Sequence, residues 1–151
     1  MPRSTRMYQD KLDDKRRGEL AELAFTYKAA SLGFGVAKPF GESHRYDLLI
    51  QHKRRLLRIQ VKSCFTTYRR RNLRGFAVVV CRHSYRGNVN YSRDDIDFIA
   101  AFVAPHDAWY IIPVEALASR VSIRLYPDGK SKRAGGFFEP YREAWHLLQE
   151  R

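Results

Sequence analysis

Asp47, Gln60 and Lys62 sit in two short apolar runs, Tyr46 to Ile50 and Leu56 to Lys62, separated by the polar stretch around His52-Lys53-Arg54-Arg55. Such runs read as buried strands, where a carboxylate, an amide and an amine need a reason. In an extended strand, residues two apart share a face. Leu57, Ile59 and Val61 therefore point to the core, and Arg58, Gln60 and Lys62 point the other way. Antiparallel pairing of the runs places Asp47 at the end opposite the polar tip, beside Gln60 and Lys62. The three groups then converge on one patch. A hard divalent cation takes oxygen ligands, and Mg²⁺ takes one or two carboxylates plus several waters. Asp47 supplies a carboxylate oxygen and Gln60 a neutral carbonyl oxygen. Glu22, outside the apolar stripe of an expected upstream helix, adds another. Lys62 is placed to orient a water or to offset charge developing on a phosphate. Its amine helps to deprotonate that water only if its pKa is depressed.

The elements that must position these groups follow from pattern. Asp13 or Asp14 caps a helix running to about Leu32, with Leu20, Leu23, Ala24, Tyr27 and Ala30 or Ser31 at helical spacing and Gly33 as the stop. Gly35 to Lys38 reads as a short strand, with loop signals at Pro39 and Gly41. Residues 46–51 and 56–64 form the hairpin. A basic loop, "YRRRNLRG" (68–75), leads to Phe76–Arg82, whose β-branched and aromatic composition reads as a central strand. After a second loop, "IDFIAAFV" and "AWYIIPV" pair across Pro105-His106-Asp107. Glu115 to Ser119 reads as a helical turn, "VSIRLY" follows, and Pro140 starts a last helix with Tyr141, Trp145 and Leu148 on one face. Helix, strands, helix is a mixed α/β sheet flanked by helices in a single domain, residues 13–151, preceded by a basic arm over residues 1–12.

The chain has 151 residues, enough for one sizeable core, and 44% hydrophobic and 13% aromatic residues argue for a folded protein. No run reaches the ~18 apolar residues of a membrane span, and the polar N-terminus lacks a signal-peptide core, so a cytoplasmic protein is expected. Twenty-eight Lys and Arg face sixteen Asp and Glu, a net charge of +12. Arginine predominates and suits bidentate phosphate contact, which points to a nucleic acid. Arg69, Arg70, Arg71 and Arg74 follow closely on Lys62 and are expected to grip flanking phosphates, with Arg82, Arg86 and Arg93 extending the surface. Tyr85 and Tyr91 are within reach of a sugar or base, though an ordinary surface role is the plainer reading. Asp95 and Asp97 precede an apolar strand; a structural role is expected, with Asp97 in a hydrogen bond or turn. Cys64 and Cys81 form no CxxC and read as buried thiols. The five histidines have no metal-ligand spacing, and "GFG" is no phosphate-binding fingerprint, so no nucleotide cofactor is expected.

"GELAE" on a helix, then "YDLLI", then "RIQVKS" resembles the PD-(D/E)XK endonuclease superfamily, and within it a Q-x-K subgroup related to group I intron homing endonucleases. The resemblance extends to "PFGESHRYDLLI", more loosely to "YSRDDIDFIAAFV" and "WYIIPVEAL", and spans about residues 16 to 126. It matches Glu22 to the helix acid, Asp47 to the central acid, Gln60 to the position usually held by Asp or Glu, and Lys62 to the motif lysine. It implies a restriction-endonuclease-like mixed sheet, hydrolysis of double-stranded DNA with Mg²⁺ or Mn²⁺, and a homodimer or homotetramer. Two departures stand out: Tyr46 replaces the proline before Asp47, and Gln60 removes a negative charge from the site. Two alternatives remain: a DNA-binding protein on a degenerate nuclease fold without catalysis, and a nuclease for branched junctions of the Holliday-junction-resolvase kind.

Overall fold

In the computed structural model of the chain, which describes residues 12–70, 73–129 and 136–150 and only the backbone of residues 68–70, 73 and 74, one α-helix precedes all the strands. The expected arm over residues 1–12 lies, but for Leu12, outside the described residues. Helix α1 (Asp14–Ser31) starts where Asp13 stays extended and its carboxylate accepts the Arg16 N–H at 2.8 Å. It ends where Gly33, at φ +91°, takes the left-handed turn that side chains resist.

The buried face of α1 is not the expected one. Ala21, Phe25 and Ala29 are buried, whereas Leu23 and Tyr27 are 65% and 79% exposed. The Phe25 ring lies between Trp109 and Trp145, with centroids 5.4 and 5.5 Å away. Small residues one turn to either side let the helix approach the sheet closely enough for that aromatic cluster to form. The larger Leu and Tyr residues are left on nearly the opposite side.

Ten strands follow among the described residues: β1 (Gly35–Ala37), β2 (Leu48–His52), β3 (Arg55–Cys64), β4 (Tyr68–Arg70), β5 (Leu73–Val79), β6 (Cys81–Ser84), β7 (Gly87–Asn90), β8 (Phe98–Val103), β9 (Ala108–Pro113) and β10 (Ser122–Leu125). Five make a mixed sheet in the order β1-β2-β3-β8-β9. Its β2–β3 and β8–β9 pairs are antiparallel hairpins, as expected, and β3 and β8 run parallel. Strict alternation divides its side chains between two cores. Leu57, Ile59, Val61, Phe98, Ala100, Trp109 and Ile111 face α1. Ile99, Ala101, Val103, Tyr110 and Ile112 face Phe76, Val78, Ile123 and Leu125 of a second sheet, ordered β10-β5-β4. The layers are therefore helix, five-stranded sheet, three-stranded sheet.

Three expectations are corrected. Phe76–Arg82 is not a strand of the central sheet: β5 is the middle of the second sheet, and Val80 separates it from β6. Its Phe76 and Val78 bury one face against the five-stranded sheet without joining its ladder. The basic stretch 68–75 is not a loop but the hairpin β4–β5. The last helix is replaced by two 3₁₀ turns, Glu139–Tyr141 and Trp145–Leu148. Between them Arg142 bridges to Tyr110, and Glu143, at φ +51°, donates its N–H to the Trp109 carbonyl. The Glu143 carboxylate also takes the Trp109 N–H and the Trp145 indole N–H, at 2.9 and 2.7 Å. Pairing with β9 breaks the helix, while Trp145 and Leu148 are still buried.

Candidate active site

Asp47 stands one residue before β2, where its N–H donates to the Ile59 carbonyl at 2.9 Å. Its carboxylate Oδ2 accepts the Val61 N–H, also at 2.9 Å. Continued register from Leu48↔Ile59 sets Asp47 opposite Gln60. Gln60 and Lys62 are half-buried on β3, on the face turned away from α1, where their β8 neighbours are Ile99 and Ala101. The Lys62 ammonium donates to the Cys81 carbonyl at 3.3 Å and lies 5.4 Å above the centre of the Tyr91 ring. Lys62 lines a cavity of about 480 Å³ with Cys81 and His83 on one side and Asp14, Arg17 and Gly18 of α1 on another.

Asp47, Gln60 and Lys62 thus meet at one end of the β2–β3 hairpin. Glu22 comes from α1. It accepts from the Lys38 ammonium at 3.0 Å and lines a different cavity of about 510 Å³ with Thr26, Val36 and Leu48. Its charge still reaches Asp47 and raises the energy of that carboxylate. No group of three or more His, Cys, Asp or Glu is arranged to hold a metal among the described residues. Any cation here would rest on two carboxylates and an amide, with water completing its shell.

Burial dominates the titration of the patch. It pushes the Asp47 carboxyl up to about 6; Glu22 pushes the same way, while the Val61 hydrogen bond, Lys62 and Lys38 pull down. Burial also lowers Lys62, against the pull of Asp47 and of the Cys81 thiol. Tyr91 is pushed up to about 12, first by burial and then by Asp47. A carboxylate and an amine that each resist their charged forms, on one patch, are suited to exchanging protons with a bound water or to receiving a cation.

Two clamps fix the walls. Arg58 donates from its backbone N–H to Asp97 at 2.7 Å, from its guanidinium to both Asp97 oxygens, and to the carbonyls of Arg93 and Asp94, each at 2.6 Å. Buried Asp95 pairs with Arg45 and accepts the Ser92 N–H. Asp97 makes the hydrogen bond expected of it. Together the clamps hold the segment that presents Tyr91 to Lys62. No spacing signal links Tyr91 or Cys81 to Lys62 in the sequence; only the fold joins them.

Of the arginines expected to meet DNA, Arg69 and Arg70 fall on β4 and Arg74 on β5, with side chains outside the described residues, as is Arg71 altogether. Arg86 is exposed at the tip of β6–β7, its guanidinium 5.2 Å over the Tyr85 ring. The charge is strongly localised. No carboxylate occurs between Asp47 and Asp94, a stretch with twelve Lys and Arg, leaving sixteen bases elsewhere to balance the sixteen acids. The whole excess therefore lies in the sequence between Asp47 and Asp94.

A mixed five-stranded sheet with a helix on one face and a second sheet on the other, carrying carboxylate, amide and amine at the end of its central hairpin, has the architecture of the restriction-endonuclease-like nucleases. The chain belongs to the PD-(D/E)XK endonuclease family, which it matches over residues 12–148. It is similar to the structure of a bacterial homing endonuclease, I-Ssp6803I, at 32% identity and a TM-score of 0.76, over 91% of this chain and 93% of that one. It also resembles Hjc, a Holliday junction resolvase from Archaeoglobus fulgidus, with a TM-score of 0.51 over 89% of this chain and 98% of that one; at 14% identity this is a likeness of fold alone. None of the curated proteins matches the sequence. No helix among the described residues is long and apolar enough to cross a membrane.

Proposed function

We propose that the chain is a divalent-metal-dependent endonuclease of double-stranded DNA, with Asp47, Gln60 and Glu22 holding the metal and Lys62 acting on the nucleophile or the transition state. The observation that carries this reading is the half-buried Asp47–Gln60–Lys62 patch, set in a stretch that holds the chain's entire excess of positive charge. The likeness to a homing endonuclease supports duplex DNA as the substrate. The donor set fits Mg²⁺, or Mn²⁺ in its place. Asp47 and Glu22 repel one another, and Asp47 is held by burial at about 6, so a cation would relieve both penalties. Bound there, the ion would polarise the scissile phosphate and acidify a water.

The chain's own groups do the rest. Val61 N–H holds one Asp47 oxygen, and among the described residues nothing donates a hydrogen bond to the other. The Cys81 carbonyl and the Tyr91 ring fix the Lys62 ammonium from two sides, leaving N–H bonds for a phosphate oxygen. In its neutral form, which burial favours, Lys62 takes a proton from the attacking water. Arginines 69, 70, 71, 74 and 86 would neutralise flanking phosphates. Each chain has one such patch and a duplex has two strands, which supports a homodimer or homotetramer.

Supercoiled plasmid tests the reading. Wild-type protein should nick or linearise it with Mg²⁺ or Mn²⁺ and not with EDTA. Lys62→Met and Asp47→Ala should each lose about 100-fold or more in rate, the scale of a lost acid–base group. Equal cleavage by wild type and both variants would end the assignment. DNA binding with no Mn²⁺ uptake by calorimetry would leave a binding protein instead. Faster cutting of four-way junctions than of linear duplex would change the substrate.

A further inference from the structure

The ribbon β6–β7 belongs to neither of the other two sheets. A free two-stranded ribbon is at best marginally stable, and Lys62 ties the two roots of this one together. Cys81, which opens β6, offers its carbonyl to Lys62, and Tyr91, just past β7, lies under the same ammonium. Cross-strand partners share a face. Cys81 pairs with Asn90 and His83 with Asn88, so these four make one face; Arg82 and Val89 make the other. Cys81 and His83 line the cavity of Lys62, so the first face continues outward from the catalytic patch.

Past Cys81 that face is exposed: His83, Asn88 and Asn90 are open to solvent. At the tip Tyr85 is 91% exposed, and Arg86 stacks on it. The turn is built firmly. Ser84 Oγ accepts the Arg86 N–H at 3.2 Å and donates to the Gly87 carbonyl at 3.1 Å, and Gly87 sits at φ +107°. Residues 81–90 contain no carboxylate. A DNA major groove admits a two-stranded ribbon, and Asn and Arg are the side chains that pair bidentately with adenine and guanine edges there.

We propose that β6–β7 is the sequence-reading element: it lies in the major groove beside the cut bond, with Asn88, Asn90 and His83 on base edges and Arg86 at the far end. The proposal rests on the DNA-nuclease reading above. Strand rise sets its reach. At ~3.3 Å per residue, the tip is about 13 Å from Cys81, which at ~3.4 Å per step is about four base pairs. Asn88 and Asn90, two residues apart, fall about two base pairs apart.

A library of duplexes randomised around the cut site tests this, with bound and cleaved fractions sequenced separately. Wild type should show preferences within about four base pairs of the cut. Asn88→Ala with Asn90→Ala should lower discrimination at two positions about two base pairs apart by roughly 5- to 150-fold, the worth of a bidentate pair, and keep preferences elsewhere. Arg86→Gln should lose the outermost preference and, with one cation fewer on the backbone, weaken binding to all duplexes alike. All three side chains are exposed, so melting curves should match wild type, and a variant that melts earlier is replaced by Asn88→Ser with Asn90→Ser. Unchanged preferences in the variants, or a wild type with none near the cut, would overturn the ribbon's role while leaving the nuclease intact. A protein that neither binds nor cuts DNA would instead overturn the function on which it rests.

Discussion

Replacing Asp47 by Asn should make the metal-free protein more stable at neutral pH. The change removes the charge and keeps the shape, and an amide oxygen can still accept the Val61 N–H. The magnitude follows from the carboxyl's displacement from 3.8 to about 6, caused first by burial. At ~1.4 kcal/mol per unit, that is about 3 kcal/mol as a ceiling. The sign follows from proton binding. The folded carboxyl holds its proton more tightly than the unfolded chain does. Asp47 is therefore harmless below the unfolded value of 3.8, becomes increasingly costly as the pH rises to about 6, and remains costly above that. Urea unfolding with EDTA is the assay. At pH 7.5 the variant's midpoint should lie higher, by a free energy of about 2–3 kcal/mol; at pH 4 the two curves should nearly coincide. Adding Mn²⁺ at pH 7.5 should then stabilise the wild type and not the variant, because binding to the native state alone raises its stability. A variant that is less stable than wild type at pH 7.5 in EDTA would refute the claim that burial sets the state of Asp47.

Three further outcomes are expected. Tyr91→Phe should keep cleavage near wild type and Tyr91→Leu should lose roughly 2- to 30-fold in rate, since the ring face rather than the hydroxyl holds Lys62 at a worth of ~0.5–2 kcal/mol; equal loss in both would place the effect in the hydroxyl. Asp97→Ala should lower stability in urea by about 1–3 kcal/mol, because it leaves the Arg58 N–H and guanidinium short of their main acceptor; a neutral change would show that the clamp carries no load. Binding to duplex should fall steeply with salt, by ~0.9 in log affinity per log salt for each phosphate neutralised, and a flat response would remove the arginine-rich stretch from the interface.

The centre of the candidate site was legible in the sequence because its geometry depends on a hairpin. Alternation fixes which β3 residues share a face, and the short tip fixes what lies opposite, so Asp47, Gln60 and Lys62 converge by local geometry alone. What escaped depends on distant packing. Phe25 outranks Leu20, Leu23 and Tyr27 in α1 because Trp109 and Trp145, far along the chain, provide its socket. Val78 reads as central yet belongs to a second sheet, because burial by stacking and burial by ladder pairing leave the same apolar run in the sequence. The C-terminal segment has helical spacing, but its backbone finds a better partner in β9. Tyr91 reaches Lys62 only through the ribbon and its two clamps.

The neutral amide at position 60 follows from the charge already present. Asp47 resists ionisation because of burial and because Glu22 lies within its field. A carboxylate in place of Gln60 would put a third negative group opposite Asp47, on the half-buried face of β3, and raise Asp47 further. With glutamine there, one carboxylate faces one ammonium, and on the proposed reading the second acid for a hard cation comes from α1. Glu22, whose side chain is 25% exposed, is engaged at 3.0 Å by Lys38, whose side chain is 70% exposed. With the Lys38 ammonium in solvent, such a pair contributes little, about 0–1 kcal/mol. On the proposed reading, releasing Glu22 from Lys38 would therefore cost a cation almost nothing, while Asp47 and Glu22 together would supply the charge that Gln60 withholds.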